Sequence, residues 1–369
     1  MREQIAKVNG FRNGHDKGRC EGAPVLVTGG AGFIGTNVAD RLLKEGRQVV
    51  LLDNMSRGGV DQNALWLQRR YGRRVRIIVG DIRSQADVRR ALEGVAHVFH
   101  FAAQVAVTTS LLDPRTDFDI NAGGTLNLLE EMRTMPKPPS ILYTSTNKVY
   151  GGLEDVPLRK HDRRYEPVDP LMSGHGIGEN RCLDFHTPYG CSKGAAEQYV
   201  LDYGRSFGVP TCVFRMSCIY GPHQFGTEDQ GWVAHFLIRA LQNKPITLYG
   251  DGMQVRDILS VEDLTNAMLA AWDKIHVISG QAFNIGGGVT RSVSLLELID
   301  LIARLNGARP RILFDTSRTG DQRYYVSDTS KFQLATGWTP QIGPREGVKR
   351  LLEWLIEARQ YSPVEIAVS

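Results

Sequence analysis

Residues 24–35 read PVLVTGGAGFIG. The short β-branched run at 24–28 predicts a strand, and the apolar spacing of the residues that follow the glycines predicts a helix. Gly29, Gly32 and Gly35 stand three apart between the two elements, where the backbone must turn tightly and let a pyrophosphate approach the helix N-terminus. This stretch therefore predicts the strand, turn and helix that open a dinucleotide-binding fold.

The alternation of strands and helices continues along the chain. Further strands are predicted at 48–52, 76–79, 97–101 and 140–144, and further helices at 85–92 and 122–132. Strands that alternate with helices imply a parallel sheet covered on both faces. The expected fold class is therefore α/β, with a Rossmann-type doubly wound parallel sheet.

The character of the sequence changes after Arg215, where Gly-Pro breaks, a loop at 223–231 and short mixed elements follow. We interpret this part as a smaller, mixed C-terminal substrate lobe. The expected division is a mobile N-terminal extension at 1–22, a dinucleotide-binding Rossmann domain at 23–214 with an insertion at about 151–183, and a substrate lobe at 215–369 interleaved with the first domain.

Composition excludes several classes of protein. The chain has 369 residues, of which 23% are charged, with a formal net charge of +4 and both signs interleaved, so neither a nucleic-acid nor a membrane partner is expected. Five cysteines without a CxxC pair indicate no disulfide framework and no zinc site, and no metal is expected. The absence of a span-length apolar run and of a signal-peptide core predicts a cytoplasmic protein.

Asp53 follows the second predicted strand, about twenty residues after the glycines, where a carboxylate accepts hydrogen bonds from an adenosine ribose and repels a 2′-phosphate. This favours NAD over NADP, although Arg57 is able to contact the adenine side or to neutralise a phosphate. Asp81 is an expected cofactor contact and could also be a helix N-cap, since the two roles are compatible. The other expected cofactor contacts adjoin the glycines or lie at the ends of predicted strands: Phe33, Ile34, Asn54, Ile82, Phe101, Ala102 and Ala103.

Tyr189 and Lys193 stand four apart at the start of a predicted helix and so share a face. An ammonium close to a phenol lowers the pKa of the phenol, which lets tyrosinate act as a general base near neutral pH. When a Tyr and a Lys stand four residues apart and no other motif accompanies them, they more often lie on a solvated helix face. Here the pair is accompanied by the TGGAGFIG turn and by the hydroxyl run Thr144, Ser145 and Thr146.

This combination resembles the extended short-chain dehydrogenase/reductase superfamily, from residue 24 to about residue 356. The resemblance implies that the Thr146 hydroxyl polarises the reacting oxygen, that Tyr189 moves the proton and also contacts the cofactor NAD, and that Lys193 holds the nicotinamide ribose. It also implies that Asn121 supports the active-site backbone, although alone Asn121 would be interpreted as an N-cap. One or two hydroxyls of the run 144–146 are expected to bond to the backbone instead.

The two residues after Thr146 narrow the choice among the reactions that this superfamily catalyses. Members of this superfamily that remove water from a sugar carry Asp-Glu there as acid and base, whereas this chain has Asn147 and Lys148. An amide and an ammonium cannot supply that pair, so a 4,6-dehydratase is disfavoured. Reversible hydride transfer without elimination remains, which is the pattern of an epimerase.

Four longer motifs sharpen the resemblance: LDFHTPYGCSKGAAEQYVLDYGRSFG at 183–208, FRMSCIYGPHQFGTEDQGWV at 214–233, GDGMQVRDIL at 250–259 and GDQRYYVSD at 320–328. They are similar to those of the CDP-paratose 2-epimerases, also called CDP-tyvelose 2-epimerases. The resemblance implies a nucleotide-sugar substrate, with inversion at C2 of a dideoxyhexose attached to CDP. An epimerase of a UDP- or GDP-sugar acting at C4, and a non-catalytic NAD-binding sensor, stay open as alternatives.

The resemblance implies that Arg256 and Arg318 hold the nucleotide diphosphate; a surface salt bridge with a neighbouring Asp is the alternative for each. Further candidate substrate contacts are Gln104, Thr108, His186 and Gln230, of which His186 could also be a structural histidine. The apolar helical faces at 122–132 and 195–203 match segments that pair subunits in this superfamily. They predict a homodimer or higher homo-oligomer, although core packing explains the same pattern.

Overall fold

The computed structural model describes residues 22–360. The predicted extension at 1–22 therefore lies, except for Gly22, outside the described residues. Within residues 22–360, no helix is both long and apolar enough to cross a membrane.

The strands are, in chain order, β1 Val25–Thr28, β2 Val49–Asp53, β3 Val75–Val79, β4 His97–His100, β5 Ser140–Thr146, β6 Leu158–His161, β7 Arg164–Pro167, β8 Thr211–Met216, β9 Cys218–Tyr220, β10 Ile246–Tyr249, β11 Val255–Ser260, β12 Gln281–Ile285, β13 Ser292–Ser294, β14 Ile312–Asp315 and β15 Tyr324–Tyr325. The α-helices are α1 Phe33–Lys44, α2 Val60–Tyr71, α3 Gln85–Leu92, α4 Val107–Leu112, α5 Pro114–Phe118, α6 Gly124–Arg133, α7 Pro170–His175, α8 Thr187–Ser206, α9 Trp232–Leu241, α10 Val261–Asp273, α11 Ile275–Ile278, α12 Leu295–Asn306, α13 Ser330–Thr336 and α14 Pro344–Gln360.

Seven strands form the central sheet, in the order β12-β8-β5-β4-β1-β2-β3. Every neighbouring pair in it is parallel. The chain order reverses between β1 and β4, and in such sheets ligands bind outside the carboxyl ends of the strands at this switch point.

Two apolar layers cover the two faces of the sheet. One contains Leu42, Phe99 and Phe283, and the other contains Leu26 and Val200, all of them fully buried. Strands buried on both faces and helices on each side are what the alternating sequence pattern requires. The predicted doubly wound parallel sheet is confirmed.

The C-terminal half of the chain contributes to both parts of the molecule. β12 returns to the edge of the central sheet, where Phe283 pairs with Phe214 of β8. The strands β9, β11, β13 and β15 form a separate mixed sheet, and β10 pairs with β14. A third apolar cluster, which includes Leu237, Ile302 and Val348, fills this second part.

Most predicted bounds agree with the structure to within one residue, and two elements differ by two residues. The strand predicted at 140–144 continues to Thr146, because Ser145 and Thr146 pair with the last residues of β8. The helix predicted at 122–132 is preceded by a π-helical turn at Asp119–Gly123 and becomes α-helical at Gly124. The chain thus enters α6 directly from α5, and Asn121 lies inside the turn and is not an N-cap.

Candidate active site

The glycine-rich turn between β1 and α1 requires glycine at two positions. Gly29 has φ +64°, and a Cβ there would lie 2.8 Å from the backbone nitrogen of Ala102. A Cβ on Gly35 would lie 2.4 Å from the carbonyl oxygen of Gly29. Gly32 directly precedes α1 with extended backbone. The turn therefore presents the backbone N–H groups of the helix start at the carboxyl edge of the sheet, as phosphate binding requires.

Asp53 ends β2 and steadies this turn. Its carboxylate accepts hydrogen bonds from the backbone N–H of Ala31 at 3.0 Å and of Met55 at 2.9 Å. Burial raises the pKa of this carboxyl, while the two hydrogen bonds and the charge of Arg57 act in the opposite direction. The Arg57 guanidinium also donates to the side-chain oxygen of Gln230, so the C-terminal half closes one side of the site.

A cavity of about 450 Å³ opens beside the turn. Its lining includes these predicted cofactor positions: Gly29, Gly32, Phe33, Ile34, Gly35, Asp53, Asn54, Arg57, Asp81, Ile82, Phe101, Ala102 and Ala103. The volume lies in the range of small-molecule pockets. The glycine turn without side chains and the carboxylate at the end of β2 fit a dinucleotide without a 2′-phosphate.

Sequence reasoning missed part of this cavity wall. Asn63 of α2 lines the cavity and donates to the carbonyl oxygen of Ala31 at 3.1 Å and of His223 at 3.3 Å. His223 lines it as well. A lone asparagine inside a helical pattern carries no signal of such a role, because its partners come from distant parts of the chain.

Asp81 lines the cavity without capping a helix. The N-cap of α3 is Ser84, whose hydroxyl accepts from the backbone N–H of Asp87. Asp81 instead pairs with the Arg83 guanidinium at 2.8 Å and accepts from the Asn54 amide at 3.3 Å. The hydrogen bonds from Arg83, more than any other cause, lower the pKa of this carboxyl to about 2.

The three hydroxyls at the end of β5 lie in different surroundings, because successive side chains of a strand point to opposite faces. The Thr144 hydroxyl donates to the carbonyl oxygen of His100 at 3.2 Å, which is a structural hydrogen bond. The Ser145 hydroxyl is buried and has no hydrogen-bond partner among the described residues. The Thr146 hydroxyl donates to the side-chain oxygen of Asn147 at 3.3 Å and accepts from the backbone N–H of Lys148 at 3.2 Å. It lies near enough to the Tyr189 phenol to lower the pKa of that phenol.

Tyr189 lies in the first turn of α8, and its backbone N–H donates to the hydroxyl of Ser110 at 3.2 Å. Burial raises the pKa of its phenol to about 12, and the Thr146 hydroxyl acts in the opposite direction. The expected lowering of this pKa by Lys193 is not found. The Lys193 ammonium lies over the ring of Tyr143 instead, 4.3 Å from the centroid.

The pKa of the Lys193 ammonium is shifted as well, because Lys193 is only 3% exposed. Burial lowers the pKa of its ammonium to about 7, while the carboxylates of Asp117 and Glu197 raise it. Glu197 lies one helical turn further along α8 and forms a buried ion pair with Arg215 of β8. The charge on Lys193 therefore depends on carboxylates that the sequence did not single out.

Asp117 connects the catalytic helix to the loop after β4. It is fully buried and accepts hydrogen bonds from the amide of Gln104 at 3.0 Å, from the amide of Asn121 at 3.2 Å and from the hydroxyl of Ser192. Asn121 also accepts from the backbone N–H of Gln104 at 2.8 Å and donates to its carbonyl oxygen at 3.0 Å. An acid four residues before Asn121 is a signal that could have revealed this network.

The predicted substrate contacts lie in different places. Gln104 lines the cavity, but its amide is engaged by Asp117 and by the backbone of Ala106. The Thr108 hydroxyl is buried and has no hydrogen-bond partner among the described residues. His186 is half exposed, pairs with Asp184 at 3.0 Å and lines a second, shallow recess.

The two predicted phosphate-binding arginines each have carboxylate partners in this structure. The Arg256 guanidinium is buried and pairs with Asp321 at 2.6 Å. Arg318 lies over the ring of Tyr249 at 3.7 Å and pairs with Glu228 at 3.1 Å. Both arginines are therefore held in place before a substrate is bound.

Asn147 and Lys148, which follow β5, are hydrogen-bonded to the segment 320–322, which contains Asp321. The Asn147 amide donates to the side-chain oxygen of Gln322 at 3.0 Å. The Lys148 ammonium donates to the carbonyl oxygen of Gly320 at 2.8 Å. Among residues 22–360, no group of three or more His, Cys, Asp or Glu side chains is placed to hold a metal ion.

Comparison with known proteins identifies the family. The sequence profile of the NAD dependent epimerase/dehydratase family matches residues 25–286, and the chain belongs to this family. It is 44% identical over 337 residues to the CDP-paratose 2-epimerase of Salmonella typhi, which covers 89% of this chain and 98% of that protein. It is 32% identical over 332 residues to a putative UDP-glucose 4-epimerase of Methanocaldococcus jannaschii, covering 90% and 98%.

The fold has close counterparts among solved structures. The UDP-glucose 4-epimerase of Thermus thermophilus, solved in complex with NAD, superimposes with a TM-score of 0.77 and 32% sequence identity, over 91% of this chain and 99% of that one. Family membership and this similarity confirm the predictions of an NAD-dependent enzyme and of NAD as its cofactor.

The buried ammonium of Lys193 predicts a pH-dependent stability effect. Its pKa is about 7 in the folded chain and 10.5 without the fold, so the unfolded state binds more protons between these values and the penalty for burying the charge is full only below pH 7. Lys193→Met should therefore raise the free energy of unfolding at pH 6, and this gain should shrink by about 1.4 kcal/mol for each pH unit above 7.

Urea titrations of NAD-free protein between pH 6 and pH 9 measure this difference. Lys137→Met, at an exposed lysine, is the matched control and should follow the original chain at every pH. A stability difference between Lys193→Met and the original chain that stays constant with pH would contradict the interpretation.

Proposed function

We propose that this enzyme inverts C2 of a dideoxyhexose linked to CDP, by transient oxidation to a keto-sugar and reduction from the other face. The observation that carries the proposal is the 44% identity, over 89% of the chain, to a CDP-paratose 2-epimerase. The Thr146 hydroxyl lies near the Tyr189 phenol, which supports the chemistry. The backbone N–H of Tyr189 donates to the hydroxyl of Ser110, which is next to Thr109 in the cavity wall.

In this mechanism Tyr189 takes the proton of the C2 hydroxyl while the Thr146 hydroxyl donates a hydrogen bond to the same oxygen. NAD, when bound, supplies a hydride acceptor with a positive charge. The phenol has a pKa of about 12 in the chain alone, so it acts as a base only when positive charge is close by. Lys193 lies over the ring of Tyr143 and does not lower the pKa of this phenol in the chain alone, while Asp117 and Glu197 raise the pKa of its ammonium against the larger effect of burial.

The residues after Thr146 support epimerisation over dehydration. A dehydratase needs a carboxylic acid and a carboxylate beside the sugar. Here the amide of Asn147 is bonded to Gln322 and the ammonium of Lys148 to Gly320. The amide takes up no proton and the mostly protonated ammonium is a poor base, so the two side chains do not form the acid and base pair that dehydration requires.

The remaining site residues are assigned as proposals. Arg256 and Arg318 hold the diphosphate, where they exchange or share their present carboxylate partners. The Thr108 hydroxyl, which is without a partner among the described residues, contacts the sugar. We assign Gln104 to holding the loop after β4, because both ends of its amide are engaged within the protein. His186 stays a peripheral candidate, since it faces the shallow recess.

The function is tested by incubating NAD-loaded protein with CDP-paratose and determining the configuration at C2 by NMR. The original chain should form CDP-tyvelose. Tyr189→Phe should lower turnover by roughly 100-fold to 10,000-fold, the usual range for loss of a general acid/base, with NAD binding retained. Tyr199→Phe, at an exposed position on the same helix, is the control and should keep full activity.

Two results would count against the proposal. Folded, NAD-loaded protein that leaves CDP-paratose unchanged would contradict it. A Tyr189→Phe variant whose function is unchanged would point to a non-catalytic NAD-binding protein.

The second candidate function is C4 epimerisation of a UDP-sugar, which the similarity to the 4-epimerases favours. Conversion of UDP-glucose to UDP-galactose in the same assay would identify it.

We infer a homodimer from apolar side chains that are exposed on α4, α5 and α8. These three helices pack against one another. Leu112, Phe118 and Tyr199 are 87%, 52% and 47% exposed. Sedimentation should give twice the 41.0 kDa chain mass, and Leu112→Glu should give the single mass. Leu334→Glu on α13, at a similarly exposed leucine, should leave the dimer unchanged. A single-chain mass for the original protein would contradict the inference.

A further inference from the structure

Lys148 occupies a position where an unpaired positive charge is unusual. Arg256 and Asp321 are the charged side chains that act most strongly on the pKa of its ammonium. Asp321 is already paired with the buried Arg256 at 2.6 Å. Lys148 is left with the carbonyl oxygen of Gly320 at 2.8 Å. Two cations in this cluster therefore share one carboxylate.

Such an arrangement favours the approach of a further anion. A partly buried charge that has lost part of its hydration is stabilised by a partner of opposite sign. Burial and the neighbouring Arg256 lower the pKa of the Lys148 ammonium to about 8, which still leaves it mostly protonated at neutral pH. The cluster thus holds a net positive charge that an anionic ligand group would neutralise.

The cluster adjoins the proposed reaction centre. Lys148 follows Thr146 by two residues, and its backbone N–H donates to the Thr146 hydroxyl at 3.2 Å. Gly320, its other partner, packs against Thr187 at the start of α8, two residues before Tyr189. An anion that reaches the Lys148 ammonium therefore lies close to the atom that Tyr189 and Thr146 act on.

The chemistry of the substrate supplies an anion there. In a nucleotide-sugar the phosphate is joined through one oxygen to C1, and C1 is bonded directly to C2. Oxidation at C2 therefore brings the sugar-linked phosphate next to the catalytic side chains, whereas oxidation at C4 leaves that phosphate on the far side of the ring. A carboxylate at position 148 would repel this phosphate, and an ammonium attracts it.

We propose that Lys148 binds the sugar-linked phosphate and thereby favours the pose in which C2, and not C4, faces Tyr189. This inference rests on the proposed function, which it deepens by naming a determinant of the reacting carbon. Lys148 joins Arg256 at the same phosphate as a compact point charge.

The test compares the binding of nucleoside diphosphates and monophosphates to NAD-loaded protein by calorimetry. CDP carries the phosphate to which the sugar is attached, and CMP lacks it. Lys148→Gln removes the charge but keeps an N–H donor for the Gly320 carbonyl. It should weaken CDP binding by roughly 10-fold to 100-fold, as expected for a lost charge-assisted hydrogen bond, and leave CMP binding unchanged. It should also raise KM for CDP-paratose.

Two further variants keep this test decisive. Lys160→Gln, at an exposed lysine on β6, is the matched control and should bind both nucleotides as the original chain does. Lys148→Met, which also loses the donor to Gly320, should show the same selective loss of CDP binding. Equal losses for CDP and CMP, or no loss with Lys148→Gln, would mean that Lys148 only braces Gly320 and would overturn the inference.

Failure of the inference is distinguishable from failure of the proposed function. The same titrations with UDP and UMP report on Lys148 whichever base the protein prefers. Conversion of CDP-paratose by the original chain tests the proposed function without reference to Lys148. A protein that epimerises CDP-paratose but loses CDP and CMP equally in Lys148→Gln would keep its function and refute this role for Lys148.

Discussion

The proposed active site depends on one buried carboxylate, that of Asp117. A fully buried acid must be compensated, and here the compensation comes from Gln104, Asn121 and Ser192, with the Lys193 ammonium as the nearby opposite charge. These partners lie on three separate parts of the chain. Satisfying the carboxylate therefore fixes the loop after β4, the π-helical turn and α8 relative to one another. This junction ties α8, which carries Tyr189, to the loop after β4 that lines the cavity.

The parallel sheet supplies the rest of the arrangement. Because β1, β4 and β5 run in the same direction, the glycine turn, the loop at Ala102 and the Thr146 hydroxyl meet at one edge. The C-terminal half then closes this edge from two sides, through Gln230 at Arg57 and through Gly320 at Lys148. The cavity beside the glycine turn and the proposed substrate side are thus both built partly from the C-terminal half, as hydride transfer between two ligands held together requires.

Local constraints explain what the sequence could predict. The turn at Gly29 and Gly35 was predictable because close backbone contacts admit only hydrogen there, and the α/β alternation followed from burial on both faces of the sheet. Long-range electrostatics explains what it could not. The spacing of Tyr189 and Lys193 suggested a direct effect on the phenol, yet Lys193 packs on Tyr143 and burial dominates the pKa of Tyr189. Such effects depend on partners far away in the chain, as does the return of β12 to the sheet.

The central claim is that one hydride leaves C2 and returns to the same carbon. CDP-paratose carrying deuterium at C2 tests this directly, with mass spectrometry and NMR of the product formed in ordinary water. The account predicts CDP-tyvelose that retains the deuterium at C2, formed more slowly than from the unlabelled sugar. Product that has lost the deuterium to water would show inversion by proton exchange and would contradict the account.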